Sequence, residues 1–177
     1  MVSLLKPYHV PRPLTHFLRY LYQIGDYETC LQLVNTASSA CKDKNSTVYA
    51  HLKIAAGTCY FDMNKLKDCR RDYEIALAIQ EREGENNDLK ASYMLHNMGN
   101  LETACSRLEE AETYYTKAIK SRTEGGDSAA FELALTCLCM ARLYYLWGTY
   151  DQSKKYLSTA EGLFVRISGS ETHLMAL

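Results

Sequence analysis

The feature that most constrains this chain is a repeat. Ala37, Ala76, Ala118 and Ala160 follow one another at intervals of 39, 42 and 42 residues. Nineteen residues before each stand Leu18, Gly57, Gly99 and Ala141. Gly25, Asn64, Ser106 and Gly148 keep the same intervals, and two residues later come Tyr27, Leu66, Leu108 and Tyr150. Small residues follow at Cys30, Cys69, Ala111 and Ser153, then larger ones at Val34, Tyr73, Tyr115 and Leu157. Self-similarity at a period of this size marks stacked supersecondary units. Each position type has a mechanical reason. Small residues recur where two antiparallel helices approach closely. Glycine permits the sharp reversal between them. Bulky residues fill the space between successive hairpins, because one hairpin cannot bury its apolar face alone.

The three prolines, Pro7, Pro11 and Pro13, all precede Leu14, so nothing after that point forbids helix. Residues 1–11 read as an extended lead-in. Helices are expected at about 12–24, 27–41, 47–63, 66–83, 89–105, 108–122, 128–147 and 150–167. They pair into repeats over 12–41, 47–83, 89–122 and 128–167, a repeat domain spanning 12–167. Asp26, Ser46, Asp88 and Asp127 or Ser128 are suited to cap the helices that follow them. Ser168-Gly169-Ser170 is expected to break the eighth helix, leaving 168–177 as the start of an incomplete further repeat or a tail. The eighth helix would then keep an apolar face open, which self-association or a further segment could cover.

The pattern resembles the tetratricopeptide repeat family. The resemblance rests on Met98-Gly99 followed by Ala111 and Tyr115, with Leu95–Leu101 similar to a first helix and Leu108–Ile119 to a second. The 42-residue period is similar to that of kinesin light chain-type and fungal arrays. The resemblance implies an all-α fold, a right-handed α-solenoid of about four helical hairpins. It also implies a non-catalytic scaffold or adaptor that holds a peptide or helix in a concave groove. Carried over residue by residue, the groove takes Arg12, His16, Arg19 and Tyr22 from the first repeat. The second gives His51, Thr58, Phe61 and Asp62, and the third Tyr93, His96, Asn97, Asn100 and Thr103. Leu138, Cys139, Arg142 and Tyr145 come from the fourth. Asn97 is the leading candidate, since a side-chain amide can bond both N–H and C=O of an extended peptide. The arginines point to a partner with an acidic group. The family's set of lysines, asparagines and arginine that clamps a chain-terminal carboxylate is not reproduced.

Charge and cysteine usage set further expectations. Lys plus Arg number 20 and Asp plus Glu 21, a balance that argues against a nucleic-acid binder. No uninterrupted apolar run approaches the roughly 18 residues a membrane helix needs, so no membrane partner is expected. Seven cysteines, an odd number mostly spread through helical pattern, fit reduced thiols in a cytoplasmic protein. Cys137 and Cys139 lie about 200° apart on a helix and cannot clasp one ion, so no metal is expected. No phosphate loop, zinc-protease or nucleophile-elbow motif occurs, and neither catalytic residues nor a cofactor are expected. The helix from Leu133 to Trp147 is unusually apolar for one that lines solvent, which suits a protein contact or a next segment. Two alternatives stay open: a ligand-sensing or regulatory segment of a larger multidomain signalling protein, and an enzyme using the groove as a small-molecule pocket.

Overall fold

The computed structural model describes residues 12–82 and 88–174, so the expected lead-in over 1–11 lies outside the described residues. Eight helices follow in order: α1 (Arg12–Gln23), α2 (Tyr27–Ala40), α3 (Thr47–Asp62), α4 (Leu66–Arg82), α5 (Asp88–Ala104), α6 (Leu108–Glu124), α7 (Ala130–Leu146) and α8 (Tyr150–Leu174). A 3-10 turn at Gly126–Ala129 precedes α7. The described residues form no strand, and the all-α expectation holds. The chain divides into two compact units, Met1–Asn87 and Asp88–Leu177. In unit 1, α1 packs on α2, α2 on α3 and α3 on α4. In unit 2, α5 packs on α6, α6 on α7 and α7 on α8. We number the hairpins 1 to 4, two to each unit.

All four hairpins turn in the same way. Gly25, Asn64, Ser106 and Gly148 have φ of 80°, 57°, 59° and 77°. In each turn the left-handed residue donates its N–H three residues back, and the next residue donates five back. The pairs are Gly25 to Tyr22 and Asp26 to Leu21, Asn64 to Phe61 and Lys65 to Tyr60. In unit 2 they are Ser106 to Thr103 and Arg107 to Glu102, Gly148 to Tyr145 and Thr149 to Tyr144. This double bond satisfies carbonyls that the helix end would leave open. The small residues beyond the turns, Cys30, Cys69, Ala111 and Ser153, are all buried.

Within hairpins 2 and 3 the backbones close on glycine. A Cβ added at Gly57 would intrude on the Tyr73 ring, and one at Gly99 on the Tyr115 ring. Both rings are buried, at 3% and 0% exposure. The Tyr73 hydroxyl lies 3.2 Å from Thr58 Oγ1. The Tyr115 hydroxyl lies 3.3 Å from Thr103 Oγ1. In unit 1 the core joins Leu18, Val34, Ala56 and Cys59. In unit 2 Ala111 and Tyr115 of α6 meet Met140 and Leu143 of α7.

Several expectations need correction. The eighth helix does not break at Ser168-Gly169-Ser170; α8 runs on to Leu174. One glycine in a helix costs only about 1 kcal/mol, too little to end it. Asp26 and Ser46 do cap α2 and α3, accepting from Thr29 N–H at 3.1 Å and Tyr49 N–H at 3.3 Å. Asp127 and Ser128 do not cap α7. They lie within the 3-10 turn, the N-cap is Ala129, and Ser128 Oγ donates instead to the Gly125 carbonyl at 2.9 Å. α5 begins at Asp88 itself, whose side chain lies outside the description. The segment Gly126–Leu146 does reach the length and apolarity of a membrane span, 21 residues at a mean hydropathy of 1.4. Half of it is buried inside the protein, as befits a core helix packed between α6 and α8. All seven cysteines carry free thiols.

Candidate binding face

The first helices of the hairpins carry the residues expected to line a groove. In unit 1 these are α1 and α3. The side chain of Arg12 lies outside the description, His16 is exposed, and Arg19, His51 and Phe61 are half-buried. Tyr22 donates its hydroxyl to the Asp62 carboxylate. Burial first, and that bond second, hold the phenol protonated well above its ordinary range. The Tyr22 ring packs against Tyr27, centroids 5.5 Å apart. Thr58 is not open to a partner: it is 8% exposed and donates to the Ile54 carbonyl at 2.9 Å. Behind this face Asp72, 1% exposed, is held by Lys53 Nζ at 3.3 Å and Arg71 Nε at 3.1 Å.

Unit 2 brings α5 and α7 together, and their polar residues organise around a buried cation. Arg122 of α6 is 2% exposed. Its guanidinium donates to Ser92 Oγ at 3.2 Å, the Glu132 carbonyl at 2.7 Å and the Thr136 hydroxyl, and lies 5.1 Å from the centre of the Tyr93 ring. Tyr93 donates to Glu132 Oε1 at 2.6 Å. The His96 ring nitrogen Nδ1 is 3.2 Å from Thr136 Oγ1. Burial, with the charges of Arg122 and Arg142 added, pushes the His96 pKa down to about 3. This imidazole is therefore neutral near pH 7.

A second polar group sits one turn along. The Tyr115 hydroxyl, reaching past Gly99, donates to Asn100 Oδ1 at 2.8 Å. The Arg142 guanidinium acts on that same hydroxyl and opposes the effect of burial on it. Burial raises the Tyr115 phenol pKa well above its ordinary value. Thr103 is 7% exposed and donates to the Gly99 carbonyl at 2.8 Å, so it too belongs to the interior. Asn97, one turn before Asn100 on the same face of α5, is half-buried. Arg142 is exposed. On α7, Leu138 is 38% exposed and Cys139 half-buried. Tyr145, 63% exposed, meets Tyr150 edge-on at 5.6 Å.

The structure thus sorts the expected residues. Asn100, Arg142 and the Tyr115 hydroxyl come together on unit 2, and Asn97 lies one turn before Asn100 on α5. Tyr93 and His96 are drawn inward by Glu132 and Thr136. Thr58 and Thr103 bond their own helices and sit beside the buried tyrosines. The sequence reading missed Arg122, Glu132 and Thr136. A signal for Arg122 was there: it continues the buried series Ala111, Tyr115 and Ala118 at helical spacing, where a cation needs internal partners.

Residues 48–124 match the family model of the tetratricopeptide repeat. No curated protein matches the chain. Among solved structures, BtubC (BKLC) from P. vanneervenii superposes with a TM-score of 0.77 at 15% identity, over 86% of this chain and 62% of that one. This chain therefore matches under two thirds of that protein. A Podosopora anserina putative kinesin light chain with nearly identical TPR-like repeats gives 0.61 at 11% identity, over 88% and 95%. At such identities the likeness speaks to fold, and the fold is that of tetratricopeptide-like helical repeats.

Proposed function

We propose that the protein is a non-catalytic binding module that holds an extended peptide against the α5 and α7 face of unit 2. Tetratricopeptide repeats are in general protein-interaction modules, and the matched stretch, residues 48–124, includes all of α5. The observation that carries the reading is that the Asn100 amide and the Arg142 guanidinium meet at the Tyr115 hydroxyl, with Asn97 one turn before Asn100 on the same helix. Asn97 can accept from a peptide N–H and donate to a peptide carbonyl. Arg142 supplies a planar fork for a carboxylate. Asn100 is already fixed by Tyr115, so the surface around Asn97 is pre-ordered and binding loses less entropy there. Neutral His96 adds no charge near pH 7, which leaves Arg142 to select an acidic group. Tyr145 and Leu138 offer apolar contact beside it. The free thiols accord with a cytoplasmic setting.

The test is a display selection of peptides against the protein, followed by titration of the best binder in calorimetry. Asn97→Ala and Arg142→Ala should each weaken it about tenfold or more, the loss of one hydrogen bond to charge or backbone. Arg142→Ala should also abolish any preference for Asp or Glu in the peptide. Unchanged affinity in the double variant would place binding elsewhere.

A further inference from the structure

The first and last hairpins expose apolar side chains at positions that the other hairpins bury or half-bury. On α1, Phe17, Tyr20 and Ile24 are 49%, 56% and 58% exposed. They are spaced three and four apart, so they form one stripe. One repeat later, the same register holds Ala56 and Cys59 of α3 and Met63 at its C-cap. These pack in the unit 1 core with Leu31 and Val34 of α2. Three repeats later it holds Met140, Leu143 and Trp147 of α7, which close on Ala111 and Tyr115 of α6. The α1 stripe is therefore the half of a stacking contact that faces a preceding second helix.

α8 carries the other half. Tyr150 and Leu157 are 57% and 42% exposed. Their counterparts on α6 are Leu108 and Tyr115, which pack against α7. On α2 they are Tyr27 and Val34, which pack against α3. Two such second-helix-to-first-helix contacts are thus seen inside the chain, one in each unit, and the two free faces are the matching halves of a third.

We propose that a second copy of this chain docks head to tail, the α1 stripe of one copy on the α8 face of the other. Such a contact is heterologous: each copy keeps one face free after the first joins. It therefore propagates into a filament, or closes into a ring if the rotation allows. An isologous pair of α8 faces lacks this argument, because the stacking contacts described in each unit, α2 on α3 and α6 on α7, set a second helix on a first helix.

Sedimentation velocity and light scattering on the 177-residue chain test it, with two single variants at exposed sites, Tyr20→Glu and Leu157→Glu. Circular dichroism first confirms that each is folded. The wild-type mass should grow with concentration and not stop at two chains. Each variant alone should lose all mass above one chain. Mixed in equal amounts, they should form a species of two chains that grows no further, since one intact α1 stripe and one intact α8 face remain between them. Three results would overturn the proposal. One is a wild type that stays monomeric at every concentration. Another is a variant that dimerises by itself, which means like faces pair. The last is a monomeric wild type whose melting temperature falls sharply in Tyr20→Glu, which means the stripe is covered within its own chain.

Discussion

Hairpins 2 and 3 close on a glycine opposite a tyrosine. In hairpin 1 the same two positions hold Leu18 and Val34, and in hairpin 4 Ala141 and Leu157. The difference teaches what the repeat conserves. In hairpins 1 to 3 it is a buried volume between the two helices, divided in two ways, and not the identity of either residue; in hairpin 4 Leu157 is 42% exposed and stands outside that division. Packing to near-crystalline density makes such divisions interdependent. Changing one partner alone leaves either a void or a clash.

The largest effect should follow from importing one half of the hairpin 1 arrangement. Gly57→Leu should lower unfolding free energy by about 3 kcal/mol or more, since overpacking here meets a ring with nowhere to go. Adding Tyr73→Val to complete the exchange should recover at least half of the loss. Urea denaturation of the two single variants and the double gives the coupling between the sites. Additive losses would mean that the two positions do not share volume.

A smaller step is Gly57→Ala or Gly99→Ala. Each should cost about 1–3 kcal/mol by forcing the tyrosine ring aside, despite alanine's better helix propensity. The reverse change in hairpin 4, Ala141→Gly, should cost only about 0.5–1 kcal/mol. Equal losses at all three sites in thermal unfolding would erase the distinction between the hairpins.

The turns offer a gentler comparison. Ser106 occupies the left-handed conformation that Gly25 and Gly148 occupy without strain. Ser106→Gly should therefore stabilise by about 0.5–1 kcal/mol. Asn64→Gly should gain less, because asparagine tolerates this conformation better. A loss of stability at Ser106→Gly in a denaturant titration would contradict the strain argument.

The smallest effect at pH 7 concerns unit 2. The His96 pKa is depressed to about 3 in the folded state, from an unfolded value near 6.5. Between these values the unfolded chain binds the extra proton, so stability rises with pH there and is lost as pH falls from about 6.5 toward 3. His96→Asn should remove that part of the slope while changing little at pH 7 and above. Stability measured at several pH values checks it, and an unaltered slope would show that His96 is accessible to protons in the fold.

How much of this was legible in sequence depends on whether a residue repeats. The turns at Gly25, Asn64, Ser106 and Gly148 were readable from phase alone, and so, apart from the end of α8, were the helix limits to within a few residues. A serine and an asparagine could be assigned a left-handed turn only because two glycines shared their place. The face of unit 2 was legible only in part. Tyr93 and His96 turn inward because Glu132 and Thr136 accept them, and those partners lie about forty residues away with no counterpart in the period. Thr58 and Thr103 fall at groove positions by register, but each is buried beside a tyrosine hydroxyl. The end of α8 was misread because Ser-Gly-Ser signals a loop only when nothing else sustains the helix. Asp127 and Ser128 were misread as caps because a 3-10 turn puts Ala129 in that place.

Arg122 has a consequence for how this chain can evolve. The corresponding place in hairpin 2 is held by Gln80, buried and uncharged. Recombination between the two similar coding stretches would duplicate or delete a hairpin and set the amide where the guanidinium belongs, or the reverse. In one case the Glu132 carbonyl and the Thr136 hydroxyl would lose one of their donors. In the other a cation would take the place of a buried neutral amide, at a cost of several kcal/mol unless it were paired. The hairpins look interchangeable in outline, yet each is keyed to its neighbour. Exchange between these two hairpins is thereby opposed by a single side chain.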